Sequence, residues 1–519
     1  MFGNRIRVAL SYLTAALLLA GGSVLFYELF LSVGRHSFLT FQSDFLSSFL
    51  PWNSHINMYP GQPYRFADLL TAFSGQFYRG WGVWAFNVTA GLLFCALLTF
   101  VCKLFLRERS HNVNGKNRPK IWKQIVGFTL PMFWALVFMG CQVSLAFSNR
   151  STYWGFKDYK SGRILMKAER LLMENRYGEA LQLANGYWFS HPCSIDDVVT
   201  GRNSLYAGMS QTEMLFRQDL AAYTRVALLG AHRLNDDFFT YYRVPEIYGQ
   251  IDDGAAPAST AVSVFRNRLT GNHTAVYSQI MNVMETEGLS YWMLEQSAFS
   301  ALVCRQYGLA DKYIRLLENT LFYRKQARVY REVSRLLQDS AAMQDCSPDL
   351  RLLLDEIGRE RAKTLKDYIY TSGSGEAEAR ELWRQNPSSR ENLEYISLID
   401  LLYKRTDHVT AHIGDYLRLS GQQRPPYRLP SSWQEMLFIG MEEGQGQIPP
   451  QVMEYMQDLA WDQAVLKQCR LFYQARESLR RGTMSPQQIT QSFGHTFAYN
   501  YYYSRFVSPR QSGTQTLAH

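Results

Sequence analysis

The chain has 519 residues, of which 47% are apolar and 19% charged, an ordinary globular composition whose length points to two to four units at ~100–200 residues per domain. Its formal charge of +9 is uneven: residues 1–147 hold 12 Lys/Arg against 4 Asp/Glu, whereas the remainder holds 42 against 41. The excess cations sit beside hydrophobic runs and not on a basic face of a polar domain, which excludes a nucleic-acid-binding reading.

Three uncharged runs come first. They are 8–27 (VALSYLTAALLLAGGSVLFY), 82–102 (GVWAFNVTAGLLFCALLTFVC) and 124–147 (QIVGFTLPMFWALVFMGCQVSLAF). About 20 apolar residues cross a ~30 Å hydrocarbon core, so each run predicts a transmembrane helix, the third kinked at Pro131. Arg5 and Arg7 precede the first run, and seven cations between Lys103 and Lys123 separate the second from the third. By the positive-inside rule the N-terminus and a 103–123 loop are then cytoplasmic, and residues 148–519 lie outside, at the periplasmic face of a bacterial inner membrane. No A-x-A site follows the first run, so it reads as a span and not as a cleaved leader.

Residues 34–81 are dense in aromatics. Phe38, Phe41, Phe45 and Phe49 recur at helical spacing, as do Phe66, Leu69, Leu70, Phe73 and Phe77, which predicts two amphipathic helices at a bilayer surface. The expected organisation is therefore 1–33 with the first span, 34–81 as an external aromatic loop, and 82–147 with spans two and three. Helical regions follow at 148–250, 251–370 and 371–519, divided near GQIDDGAAPAS (249–259) and TSGSGEAEAR (371–380).

Helical periodicity dominates after residue 148 and no run of alternating strands occurs. In 164–192, Asn175, Tyr177, Ala180, Ala184, Tyr187 and Pro192 stand where a tetratricopeptide repeat has its turn residue, aromatic, small packing residues and closing proline. A second copy at 291–319 places Tyr307, Ala310, Ile314 and Leu317 in matching positions, and a looser helix pair covers 391–420. The fold class expected is mainly α: three transmembrane helices followed by a helical-hairpin, tetratricopeptide-like α-solenoid.

Segments 60–82 (PGQPYRFADLLTAFSGQFYRGWG), 175–188 (NRYGEALQLANGYW), 310–327 (ADKYIRLLENTLFYRKQA), 429–440 (LPSSWQEMLFIG) and 493–506 (FGHTFAYNYYYSRF) resemble a family of Bacteroidota multi-pass membrane proteins. That resemblance implies a hydrophobic N-terminal part joined to tetratricopeptide-like helices, and it brings no activity.

Chemistry is sparse. Asp407-His408-x-x-x-His412 has the i, i+4 spacing of a zinc-binding histidine pair, but Val409 stands where a zinc protease carries its Glu and no third ligand is evident. Asp196-Asp197, Asp236-Asp237 and Asp252-Asp253 could do acid–base work, yet each lies near a turn, where Asp caps helices. Asn272-His273-Thr274 matches a glycosylation sequon. Gly494-His495 with Tyr499, Tyr501, Tyr502 and Tyr503 offers stacking faces for a glycan or peptide, although terminal helix packing explains them as well. Cys193, Cys304, Cys346 and Cys469 are too scattered for a structural zinc site, and Cys95, Cys102 and Cys141 read as packing residues within the runs.

The expectation is thus no catalytic, cofactor-binding or metal-binding residue, and no cofactor. The protein would be a membrane-anchored envelope scaffold whose helical domain binds protein partners, with the lipid bilayer as its other neighbour. The alternative is a membrane enzyme or transfer component for a lipid-linked or glycan substrate, with Asp44 or Asp68 of the aromatic loop as its functional group.

Overall fold

The computed structural model describes residues 9–22, 82–111, 129–140, 159–200, 209, 211–248, 260–287, 291–319, 324–338, 347–365, 375–443 and 450–503, and these are mainly helical. The 34–81 aromatic loop with Asp44 and Asp68, the 112–123 part of the basic loop, Asp252-Asp253, Cys141 and Cys346 lie outside the described residues. The chain divides into two compact units, one of residues 1–166 with 284–293, the other of 167–283 with 294–519.

In the first unit, helices α1 (9–22) and α3 (129–140) fall within the first and third hydrophobic runs, and α2 (Gly82–His111) covers the second and continues past it into the basic segment. Among the described residues, no helix is long and apolar enough to cross a membrane. This overturns the expected three spans, and with them the multi-pass inner-membrane placement and its inside–outside topology. The long α2 carries Lys103, Arg107, Glu108 and Arg109 in its final third. What the apolar residues do instead is pack on one another: Ala15, Leu19, Cys95 and Ala135 form a small core, edged by Tyr12, Leu92, Trp134 and Phe138. Small residues at three of those four positions let the helices approach closely. Leu13, Leu17, Leu93, Leu97 and Phe133 remain exposed on the other faces.

The second unit opens with the end of α4 (Tyr159–Met173) and continues through α5 (Tyr177–Trp188), α6 (Ile195–Thr200), α7 (Gln211–Gly230), α8 (Leu234–Asp237) and α9 (Pro245–Tyr248). Then come α10 (Thr260–Leu269), α11 (His273–Glu287), α12 (Tyr291–Val303), α13 (Tyr307–Glu318), α14 (Arg324–Gln338) and α15 (Pro348–Lys363). The remainder is α16 (Gly375–Gln385), α17 (Arg390–Leu402), α18 (Thr406–Ala411), α19 (Ile413–Leu419), α20 (Ser431–Glu443), α21 (Pro450–Gln457), α22 (Gln463–Arg480), α23 (Pro486–Phe493) and α24 (Phe497–Tyr503).

One turn recurs. Asn175, His232, Arg305 and Lys404 all have φ between +55° and +60°, and each closes one helix and starts the next. In each, the following N–H donates to a carbonyl five residues back: Arg176 to Leu171, Arg233 to Leu228, Gln306 to Ala301 and Arg405 to Asp400. This closure satisfies the last carbonyls of the first helix, and the left-handed residue reverses the chain. Ala180 and Ala184 in α5, and Ala310, Ile314 and Leu317 in α13, face the core at the spacing the sequence shows.

The helices do not stack as an open solenoid. In a solenoid each repeat touches only its neighbours, but here α6 packs on α23, α8 on α17 and α20, and α17 on both α7 and α24. Elements more than 150 residues apart are thus in direct contact, and the second unit closes on itself.

Gly271 is required where it stands. Its φ is +77°, and a Cβ there would lie 2.2 Å from the Lys363 carbonyl oxygen. Gly271→Ala is therefore expected to destabilise the fold by roughly 2–4 kcal/mol. Gly178, in open space near the start of α5, should accept alanine with no loss. Thermal unfolding of the two variants beside the parent checks this, and equal melting temperatures for both would contradict it.

Candidate functional site

The most concentrated set of charges built by local sequence lies where α16, α17 and α18 meet. Asp400, fully buried on α17, accepts from the Arg380 guanidinium at 2.8 Å through Oδ1. The same oxygen lies 3.4 Å from His408 Nδ1 and 3.7 Å from Arg405. Glu376 on α16 takes the other bonds of both arginines, with Arg380 Nε at 3.0 Å and Arg405 closer still. Burial works against the charge of Glu376, but the hydrogen bonds from Arg405 and Arg380 outweigh it and hold its carboxyl below the usual range. Asp400 Oδ2 has no hydrogen-bond partner among the described residues. Two arginines thus neutralise two acids, and the network fastens three helices together.

This geometry decides the fate of the histidine pair. The i, i+4 spacing presumed one helix, but α18 ends at Ala411 and α19 begins at Ile413, so His412 sits at the break. Its ring meets Trp383 edge-on with centroids 5.4 Å apart, and burial lowers its pKa, while His408 turns to Asp400. The described residues hold no group of three or more His, Cys, Asp or Glu that could bind a metal ion.

A second constellation was missed by sequence reasoning. His273 Nδ1 lies 3.2 Å from Ser300 Oγ, and its Nε2 lies 3.2 Å from Glu360 Oε2. The order Ser–His–Glu is that of a hydrolase triad. A nucleophile must reach its substrate, however, and both Ser300 and His273 are fully buried, the serine in the middle of α12. The chain of bonds is a core tie between α11, α12 and α15. No local pattern announces it, since its members are 27 and 87 residues apart.

The other sequence candidates are also occupied. Asp197 exchanges bonds with Ser194 at the start of α6, at 2.6 and 3.1 Å. Asp236 accepts from the Ser431 backbone at 2.8 Å, and Asp237 pairs with Arg233 at 2.5 Å. Asn272 of the sequon is buried, and its side chain accepts from the Ala275 N–H at 3.3 Å, so it is closed to a glycan. Cys193, Cys304 and Cys469 are free, and burial pushes all three thiols up. The tyrosines of α24 pack inward: Tyr502 stacks on Phe472, and its hydroxyl is 2.8 Å from that of Tyr473.

A shallow apolar depression, without enclosed room for a water molecule, lies between α19, α20 and α21 and is lined by Ile413, Leu417, Tyr427, Leu437, Val452 and Tyr455 among others. Tyr427 is tied into its wall by an isolated bridge to residues 458–460, its N–H donating to the Asp458 carbonyl at 3.0 Å and its carbonyl accepting from the Ala460 N–H at 2.7 Å. Tyr427 and Tyr455 meet edge-on, 5.8 Å apart. Beside it, Met453 is exposed.

Residues 5–505 match the family of unknown function DUF6057. The protein belongs to that family. No curated protein and no solved structure matches the chain. The DUF6057 match runs from the first hydrophobic run to just past α24, so both compact units are parts of one family architecture.

The buried histidines give this DUF6057 chain an acid-sensitive core. Burial holds His273 and His412 below the ordinary histidine value of 6.5. Each therefore contributes stability that is present above about pH 6.5 and is lost as pH falls toward its folded-state value, because the unfolded chain then binds the extra proton. The melting temperature should drop between pH 7.5 and 5.5, and the drop should be shallower in His273→Gln. A pH-independent melting temperature over that window would contradict this.

Proposed function

We propose that the second unit is a protein-binding scaffold, and that the depression between α19, α20 and α21 receives an apolar side chain of a partner polypeptide. The depression itself carries this reading. It is shallow, its walls are aliphatic and aromatic, and Met453 and Met456 offer an adaptable rim that can shift to seat an apolar group. Partly exposed Tyr455 supplies contact area at small entropic cost, as aromatic anchors of protein interfaces do. The frame behind it is stiff, since Trp433, Met436 and Leu437 of α20 are buried in the core.

Purification of the tagged full-length protein, followed by a direct affinity measurement with whichever polypeptide co-purifies, tests the proposal. Met456→Glu, placing a charge on the rim, should weaken that affinity at least tenfold, while the exposed control Leu352→Glu on α15 leaves it unchanged. Equal affinity for parent and Met456→Glu, at matched melting temperatures, would remove the depression from the binding surface.

A further inference from the structure

The last described helix, α24, is fastened at two points by acids of a single neighbour. Glu435, buried in α20, accepts from the Ala498 N–H at 2.8 Å. Eight residues on, roughly 12 Å along the same helix, Glu443 bonds the Tyr502 hydroxyl and receives Arg476 at 3.3 Å. The Arg476 guanidinium also covers the Tyr502 ring at 3.6 Å. The outer point is thus a charged, compensated cluster. The inner point is different, because among the described residues no cation is bonded to Glu435 and its hydrogen-bond donors are the backbone N–H groups of Phe497 and Ala498.

We propose that α24 is a latch on the helical core, closed while the Glu435 carboxyl is neutral and released when it becomes negatively charged. An uncompensated carboxylate in an apolar interior carries a large desolvation cost, and the group either stays protonated or gains water. Lifting α24 removes the cover from Glu435 and hydrates it. The burial that dominates here raises its pKa to about 8, against which the Ala498 and Phe497 N–H groups act only in part. With the folded value above the ordinary 4.5, the contribution of the closed latch is full at low pH and declines as pH rises toward 8.

Two groups at α24 bear on the alkaline range, Glu435 and Lys404, whose ammonium lies over the Tyr501 ring at 5.9 Å and is lowered by burial; the Glu435→Gln variant separates them. On α22 Glu435 faces Cys469, whose thiol is itself pushed up by burial and by that carboxyl. On α8, Asp236 is bonded by Ser431 and Asp237 by Arg233, and on α18 Asp407 and His408 lie together beside Asp400. On α24, burial raises Tyr499, Tyr501, Tyr502 and Tyr503. His495, before α24, is bonded to Gln468 and lowered by burial, so it acts only on the acid side.

Hydrogen exchange of the 497–503 amides in the full-length protein, corrected for the intrinsic pH dependence of exchange, reads the latch directly. Between pH 6.5 and 9.0 the corrected exchange should rise at least tenfold in the parent, and stay flat in Glu435→Gln, which keeps a carbonyl acceptor for Ala498 and cannot ionise. Flat exchange in the parent would overturn the proposal. An equal rise in parent and variant would also overturn it, assigning the pH response to another group. Glu443→Gln serves as a control for general loosening: it should raise exchange at both pH values while keeping the parent's pH slope, and loss of that slope would overturn the assignment to Glu435.

Discussion

The second unit depends on one buried helix. From Glu391 to Leu402 every residue of α17 except Tyr395 is buried, and Glu391, Asn392 and Asp400 bond outward to neighbouring elements while Glu394 is held by Arg390 one turn back. Asn392 donates to Thr270 at 3.3 Å and to Leu382 at 3.2 Å, while its own N–H is capped by Ser389. Glu391 takes Lys363, Glu394 takes Arg390, and Asp400 takes Arg380. Buried polar groups are costly unless bonded, and a bonded set of this kind specifies which helices may lie against α17 and in what register. Apolar burial drives the collapse; these bonds select the arrangement.

That arrangement explains why the conspicuous polar residues do not form a catalytic centre. The acids and cations of α16–α18 satisfy one another, the Ser300–His273–Glu360 chain is sealed within the core, and the aspartate pairs of α6 and α8 hold helix ends. A buried ion pair such as Arg217–Glu246, at 2.5 Å, follows the same pattern, with Trp188 beneath the guanidinium. The depression beside α21, by contrast, is lined by apolar and aromatic side chains.

Local structure was largely legible in the sequence, because its signals are local. Asn175 announced its turn, Ala180 and Ala184 the close face of α5, and Ala310 and Leu317 that of α13. The turn at His232 was not legible, since histidine carries no turn signature and its left-handed φ is imposed by the helices on either side. Uncharged composition around residues 8–27, 82–102 and 124–147 spoke for membrane spans; it records only that those residues avoid water, and packing among Ala15, Leu19, Cys95 and Ala135 meets that demand for one face of each helix. Closure of the second unit escaped notice as well, because Asn235 meeting Glu394, or Asp236 meeting Ser431, joins residues 159 and 195 positions apart with no periodicity to reveal it. Of the candidate sites, the histidine spacing was visible but its helix was not continuous, and the depression has no motif at all.

The central claim is that bonds radiating from α17 hold the second unit in one arrangement. Asn392→Leu tests it most directly, since leucine keeps the branched framework of asparagine and cannot make the bonds to Thr270 and Leu382. Measured by chemical unfolding of the full-length protein, the variant should lose about 2–4 kcal/mol, because two buried carbonyls are left with fewer partners. Stability equal to or above that of the parent would contradict the account and return the weight to apolar packing alone.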